Sequence, residues 1–143
     1  MADYVIDTSA ILAVLKQEDG FEAAHALLRQ AERPDTGVKV NVPFVALMEV
    51  EYQLLRELRQ REVERWLNIV LAWPTEVVES NEAWRRVAAA IKSAGKVSFA
   101  DALVAALALM RDATLVHKDP EFDGVNDLRH LRLPYDRDVR TSP

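Results

Sequence analysis

Residues 97–119 read VSFADALVAALALMRDATLVHKD, and this stretch decides the fold class. Apolar side chains fill almost every position from Ser98 to Met110, which predicts a helix that is buried on most sides. Residues 113–117 are a short apolar run and predict a strand. A buried helix that leads directly into a buried strand is typical of a parallel α/β sheet.

The rest of the chain repeats this alternation. Further strands are predicted at residues 4–6, 38–42, 76–78 and 131–135, the last at an edge because Pro134 limits its pairing. Helices are predicted over about residues 8–15, 19–31, 44–59, 62–72 and 80–93, the second of them opened by the capping-box spacing of Asp19 and Glu22. We therefore expect one α/β domain over residues 1–143, with helices on both faces of a mostly parallel sheet and a frayed tail from about residue 136.

Composition narrows the classes of function. The 143 residues include no cysteine, which excludes disulfides and thiolate metal sites. The net charge of −5 argues against a protein that coats nucleic acid through bulk charge, although bound divalent ions can reverse the charge of an acidic pocket. No apolar run has the length of a membrane span and no signal peptide is visible, so we expect a cytoplasmic protein without a membrane partner.

Four acids stand in surroundings where carboxylates are costly. Asp7 and Asp119 each follow a predicted strand, and Glu49 and Asp101 interrupt otherwise apolar helix segments. Ligands of open α/β sheets bind beyond the carboxyl ends of the strands, where these acids can meet. Hard oxygen ligands of this kind suit Mg²⁺ or Mn²⁺, so the pattern predicts a shared metal site.

Each acid also has a purely structural interpretation. Asp7 can cap the first helix, and Glu49 can reach solvent at a helix edge. Asp101 completes a capping box with Ser98, and Asp119 precedes a proline as turn residues often do. These interpretations are compatible with a metal role, and four such coincidences in one region favour the common site.

Four segments of the chain resemble the PIN-domain family, especially VapC-type toxins of toxin–antitoxin pairs. They read VIDTSA at residues 5–10, MEV at 48–50, SFADA at 98–102 and LVHKDPEF at 115–122, in the family's order and spacing. The resemblance implies a three-layer α/β/α PIN-like fold and an Mg²⁺- or Mn²⁺-dependent RNA endonuclease that hydrolyses phosphodiester bonds.

The resemblance also implies roles for individual residues. It carries the catalytic and metal-binding role onto Asp7, Glu49, Asp101 and Asp119, and it gives Ser9 an auxiliary role through hydrogen bonding. One position departs from the family pattern: His117 stands where a threonine or serine often precedes the last acid by two residues. An imidazole there replaces a hydroxyl that can orient Asp119.

Partners follow from the same resemblance: an RNA substrate, a small antitoxin and a second copy of the chain in a two-fold dimer. We expect an antitoxin segment to cross a groove formed by apolar residues of the first and third helices, namely Ile11, Leu12, Leu15, Leu54, Leu55 and Leu58. Two alternatives remain open, a housekeeping PIN-domain RNA-processing nuclease and a non-catalytic acidic-pocket binding module. A receiver-like module is disfavoured because Asp3 and Asp7 flank the first strand instead of following it as a pair.

Overall fold

The computed structural model describes residues 2–134, so the tail expected to fray from about residue 136 lies outside the described residues. The strands are β1 (Ala2–Ile6), β2 (Val38–Pro43), β3 (Glu76–Val78), β4 (Thr114–His117) and β5 (Arg129–Arg132). The helices are α1 (Thr8–Lys16), α2 (Phe21–Ala31), α3 (Phe44–Glu57), α4 (Gln60–Leu71), α5 (Glu82–Ala94) and α6 (Phe99–Met110). None of the helices in this part of the chain is long and apolar enough to cross a membrane.

The five strands form one sheet in the order β3-β2-β1-β4-β5, and every neighbouring pair is parallel. The predicted parallel sheet is therefore confirmed. The chain builds outward from β1 through β2 to β3, then returns to the opposite side of β1 to add β4 and β5. The direction of building reverses between β1 and β4, and ligands of open α/β sheets bind at such a switch point.

Alternate residues of the central strands face two separate cores. Ile6 and Val116 pack into a core with residues of α1, α2, α3 and α4. Val5 and Leu115 point the other way, into a core that contains Trp84 of α5 and the apolar residues of α6. Helices thus cover both faces of the sheet, which confirms the α/β/α layers.

Two local predictions differ from the structure. The last strand begins earlier than expected and ends at Arg132, because the proline at position 134 has no N–H to continue a ladder. The capping box at Asp19 is wrong: Gly20 is the N-cap of α2, in the left-handed region with φ of 83°, and makes no side-chain cap bond. A Cβ atom at Gly20 would collide with the ring of Pro134, so this close approach requires glycine.

Candidate functional site

The four predicted acids line one cleft of about 280 Å³ at the carboxyl ends of β1 and β4. Asp7 directly follows β1, and its backbone N–H donates to the carbonyl of Val116 in β4 at 3.0 Å. Asp119 lies two residues beyond β4, whereas α3 supplies Glu49 and α6 supplies Asp101. The cleft therefore lies at the switch point of the sheet.

The acids form two overlapping groups of three rather than one group of four. Carboxylate oxygens of Asp7, Glu49 and Asp101 all lie within 4.8 Å of one another. A second group at the same spacing contains Asp101, Asp119 and Glu121. Asp101 belongs to both groups, so it joins the two halves of the cleft. Glu121 was missed by the sequence analysis, although it lies only two residues after Asp119.

Asp7 has one oxygen held by the protein and one without a protein partner. Its Oδ2 accepts hydrogen bonds from the Ser9 N–H at 3.2 Å and from the Ser9 hydroxyl at 2.7 Å, so it caps α1. Its Oδ1 is buried and has no hydrogen-bond partner among the described residues. Burial is the main cause that raises the pKa of Asp7 to about 6; the hydrogen bonds from Ser9 and Thr8 oppose it, and the nearby charge of Glu49 adds to it. The structural interpretation of Asp7 is thus correct for one oxygen only.

Ser9 connects the two strand ends. Its hydroxyl donates to Asp7 and accepts from the backbone N–H of Lys118 at 2.8 Å. The start of α1 and the segment after β4 are therefore fixed to each other beside the acids. The auxiliary role in the site that the family resemblance implies for Ser9 stays a prediction.

The carboxyl group of Asp101 does not make the capping hydrogen bond to Ser98 that its spacing suggested. The hydroxyl of Ser98 accepts from the Asp101 N–H at 3.2 Å, as in a capping box. The reciprocal bond is made by Glu121 instead, since the Ser98 N–H donates to Glu121 Oε1 at 2.7 Å. The carboxyl group of Asp101 therefore stays in the cleft, where 7% of the residue is exposed.

The electrostatics of Asp101 favour its protonated form while no cation is present. Burial is the largest cause, followed by a hydrogen bond with Glu121 and the charges of Asp7, Asp119 and Glu121. Together they raise the pKa of Asp101 to about 9. A divalent ion would reverse this preference, because a metal ligand must be deprotonated.

Glu49 is half-buried and contacts α1 through Thr8. The Thr8 hydroxyl donates to Glu49 Oε1 at 2.9 Å, and Thr8 itself is buried. The structure thus directs Glu49 into the cleft rather than along the helix surface to solvent. Thr8 is a second residue of the site that the sequence analysis did not identify.

Asp119 is held through its backbone and through its side chain. Its N–H donates to His117 Nδ1 at 3.0 Å, and its Oδ1 accepts from the Glu121 N–H at 2.9 Å. The His117 ring is fully buried, and its Nε2 lies 2.8 Å from His130 Nδ1. Burial, followed by the adjacent His130 and the positive charge of Arg132, lowers the pKa of His117 to about 4.

Two lysines also line the cleft. Lys16 Nζ pairs with Glu57 at 3.0 Å, and Lys118 Nζ pairs with Glu18 at 3.5 Å. Both cations are thus paired with other glutamates and do not neutralise the four acids. The acids keep their mutual repulsion, which a bound cation would relieve.

The donor set fits a hard divalent ion. All members of both acid groups offer carboxylate oxygens, and the orphaned Oδ1 of Asp7 is a buried acceptor without a donor. His117 does not compete as a ligand, because both of its ring nitrogens already have partners. The ligand chemistry therefore favours Mg²⁺ or Mn²⁺ over a softer metal.

Comparison with known proteins identifies the family of this chain. The sequence model of the PIN domain matches residues 4–128, which confirms the resemblance seen in the motifs. No curated protein matches the chain in sequence. Several solved structures share its fold.

The VapBC2 complex from Rickettsia felis, bound to a DNA fragment from its promoter, matches with a TM-score of 0.75 and 17% identity over 92% of this chain and 99% of that chain. VapC20 from Mycobacterium tuberculosis, a toxin that cleaves the sarcin–ricin loop, matches with a TM-score of 0.64 and 18% identity over 84% and 92% of the two chains. VapBC-5 from Mycobacterium tuberculosis, a member of the VapBC family of toxin–antitoxin systems, matches with a TM-score of 0.60 and 22% identity over 93% and 100%.

At these identities the likeness to the solved structures concerns the fold. The family model is independent of them and spans most of the sequence. Fold, motif order and family model agree, and the chain belongs to the PIN domain family.

Proposed function

We propose that this chain is a divalent-metal-dependent RNA endonuclease that hydrolyses phosphodiester bonds and acts as the toxin of a toxin–antitoxin pair. The observation that carries the proposal is the buried, unpartnered Oδ1 of Asp7, in a carboxylate that meets Glu49 and Asp101 at the switch point of the sheet. A buried acceptor without a donor costs about 1–3 kcal/mol, which a bound cation would recover.

Two groups of residues would hold metal. Asp7, Glu49 and Asp101 are suited to one ion, and the second group, which adds Asp119 and Glu121, favours another beside it. Such ions would supply an activated water at neutral pH and would stabilise the charge that develops on the leaving oxygen. Asp101 would give up its proton when an ion binds, since only the carboxylate is a ligand.

The lysines of the cleft would orient the RNA backbone. Lys16 and Lys118 are part of its lining, and their ion pairs are partly exposed. Exposed ion pairs are worth about 1 kcal/mol or less, so a phosphate can displace either glutamate at small cost. These contacts carry no sequence information, so the choice of RNA must depend on the shape of the surface around the cleft.

Mn²⁺ binding tests the proposal without knowledge of the RNA target. We expect Mn²⁺ to bind the parent protein in calorimetric titration, and we expect Asp101→Asn to abolish both binding and cleavage of a labelled single-stranded RNA. The matched control is Asp112→Asn, because the side chain of Asp112 is 90% exposed and pairs with Arg129. An Asp101→Asn protein that cleaves at the parent rate would refute the assignment.

An apolar surface groove supports an antitoxin partner. The groove measures about 630 Å³ and lies between α1, α2 and α4, lined by Val14, Leu15, Phe21, Trp66, Ile69 and Trp73, among others. The predicted groove of the first and third helices is wrong in part, because Ile11, Leu12 and Leu54 are buried in the core. Leu15 is the predicted residue that lines the groove. An apolar segment of a small partner would fit there, as expected for a chain whose solved neighbours include VapBC toxin–antitoxin proteins.

Co-expression tests the toxin assignment. The chain is expressed alone and together with any short reading frame beside its gene. We expect growth arrest from the chain alone, relief by the neighbour, and no arrest from an Asp7→Ala variant. A harmless parent protein without a co-purifying neighbour would favour the housekeeping RNA-processing nuclease.

Exposed apolar residues on α3 support a homodimer. Met48 is 64% exposed, Tyr52 36% and Leu55 43%, and their spacing places them on one face of the helix. Phe99, at the start of α6, is 75% exposed. A second copy of the chain would bury such a face in a two-fold contact.

Two matched variants separate this dimer face from the antitoxin groove. Sedimentation at tens of micromolar, a range chosen for ordinary affinities, should show a dimer for the parent and for Ile69→Lys but a monomer for Met48→Lys. Ile69 lines the groove described above, so Ile69→Lys should instead weaken binding of the antitoxin. A parent protein that remains monomeric would contradict the dimer.

A further inference from the structure

His117 occupies the last position of β4, and its buried ring makes two directional hydrogen bonds. Its Nδ1 accepts from the Asp119 N–H at 3.0 Å, and its Nε2 lies 2.8 Å from His130 Nδ1. The ring also packs edge-on against Phe122, with the centroids 4.9 Å apart. A buried histidine needs partners for its ring nitrogens, and here one of those partners is the backbone of Asp119.

These contacts fix the positions of the protons. A backbone N–H can only donate, so Nδ1 of His117 is unprotonated and the proton of the neutral ring is on Nε2. Nε2 then donates to His130, whose Nδ1 must be the acceptor. One tautomer of each ring satisfies the chain of bonds from the Asp119 backbone to His130.

The imidazole thus performs the hydrogen bonding of a hydroxyl at this position. Serine and threonine side chains accept from the backbone N–H two residues later and so fix a turn. His117 Nδ1 makes the same bond to Asp119 and adds the link to His130. The Asp119 carboxylate is held on its other side by the Glu121 N–H at 2.9 Å.

We propose that His117 is a positioning residue that directs the Asp119 carboxylate into the cleft through the Asp119 N–H, and that His130 supports the ring by accepting from its Nε2–H. The inference rests on the proposed function, because it takes Asp119 as a metal ligand. His117 itself touches neither metal nor RNA. The departure from the hydroxyl pattern is therefore a substitution that preserves the bond to Asp119.

Replacing His117 by asparagine or by glutamine tests its two hydrogen bonds separately. The Oδ1 of an asparagine lies near the place of Nδ1 and can accept from the Asp119 N–H, whereas a glutamine reaches the place of Nε2 and meets only His130. We expect His117→Asn to keep Mn²⁺ affinity close to that of the parent. We expect His117→Gln to weaken it by about 10-fold or more, the usual effect of losing a group that orients a metal ligand. His117→Thr should behave like His117→Asn.

The proton positions are measured on the metal-free protein. Imidazole ¹⁵N chemical shifts should show an unprotonated Nδ1 and a protonated Nε2 for His117, and slow exchange of the Asp119 N–H. His130→Ala removes only the second bond, so it should leave the His117 tautomer unchanged and lower Mn²⁺ affinity less than His117→Gln does. His25→Ala, in the middle of α2, should change neither. The opposite His117 tautomer, or equal Mn²⁺ affinity for His117→Asn and His117→Gln, would overturn the inference.

The outcomes distinguish this inference from the proposed function. A parent protein that binds Mn²⁺ and cleaves RNA, with a His117→Gln variant that does both equally well, refutes the positioning role and leaves the function intact. A parent protein that binds no Mn²⁺ refutes both. Loss of affinity in His117→Gln with recovery in His117→Thr supports both.

Discussion

Asp7 and Asp119 both follow strands of the same parallel sheet, yet the protein holds the two carboxylates in different ways. Asp7 is 2% exposed, caps the nine-residue helix α1 and keeps one oxygen without a partner. Asp119 is half-buried and caps only a five-residue 3-10 turn, Pro120–Gly124. A strand end positions an acid at the cleft in both cases, but Asp7 is buried far more deeply than Asp119.

The largest expected effect compares the two acids directly. Asp7→Asn should abolish Mn²⁺ binding, because it removes the charge of the most buried of the four acids. Asp119→Asn should weaken binding by about 10- to 100-fold, because water has access to the more open position and can compensate in part for the lost charge. Calorimetric titration of both variants measures the difference, with Asp35→Asn on the distant surface as the control. Equal losses of Mn²⁺ affinity in the two variants would contradict the difference between Asp7 and Asp119.

The next effect is the pH dependence of stability without metal. A carboxyl whose pKa is raised on folding binds a proton in the folded state at pH values where the unfolded chain has lost it. Its stabilising contribution is complete below the unfolded pKa and disappears as pH rises through the folded pKa. For Asp7 that interval runs from 3.8 to about 6, and Asp101 extends the decline towards pH 9.

Urea unfolding in the presence of a chelator should show this decline. The Asp7 contribution is roughly 3 kcal/mol, at about 1.4 kcal/mol per pKa unit. Asp7→Asn should make the profile less steep between pH 4 and pH 7, and saturating Mg²⁺ should restore stability at pH 8 in the parent only. A parent protein that is more stable at pH 8 than at pH 5 without metal would contradict the buried-acid description.

Glu121 is the residue that holds the Asp119 carboxylate, so its substitution tests how Asp119 is positioned. Its carboxylate accepts the Ser98 N–H and its backbone N–H donates to Asp119, so it joins the start of α6 to the turn after β4. Glu121→Ala should destabilise the protein by about 1 kcal/mol, the usual cost of a lost helix cap, and weaken Mn²⁺ binding. Glu121→Gln keeps an acceptor for Ser98 and should retain the melting temperature. Identical melting temperatures for both variants would contradict the capping role of the Glu121 carboxylate.

The smallest effect concerns the lysines. Lys16→Ala and Lys118→Ala should leave Mn²⁺ affinity within about twofold of the parent, because both lysines pair with glutamates outside the two acid groups. Each should raise KM for RNA and reduce the salt dependence of binding by about 0.7 in the slope of log K against log salt, the value for one single-strand phosphate contact. A large loss of Mn²⁺ affinity would assign the lysines to the metal-binding half of the site instead.

The sequence predicted what depends on patterning. Apolar periodicity and the strand–helix alternation were enough for the parallel sheet, and four acids in apolar surroundings were enough to find the cleft. The role of each acid as ligand or catalyst stays a prediction. Glu121 was missed because it is an exposed acid in a polar turn, and only the tertiary contact with Ser98 distinguishes it from other surface glutamates.

The predicted N-cap of α2 was wrong because a contact with a residue distant in the sequence determines where the helix begins. Asp19 has the spacing of an N-cap, but the chain uses Gly20, because the ring of Pro134 leaves no room for a side chain there. That contact joins residues more than a hundred positions apart, so no local window reveals it. The same limit explains why the two-group arrangement of the acids, with Asp101 in common, required the folded structure.

The order of the strands along the chain also sets the time at which a newly made chain has all four acids of the cleft. β1 is central and is synthesised first, but its partner β4 and the acids Asp101 and Asp119 are made only after about two thirds of the chain. At roughly 5–20 residues per second, a ribosome needs about 6 to 22 seconds to pass from Asp7 to Asp119. Helices α1, α2 and α4, which form the apolar groove, are therefore made before Asp101 and Asp119 complete the cleft. A partner of the kind proposed above could therefore bind the chain before its cleft is complete.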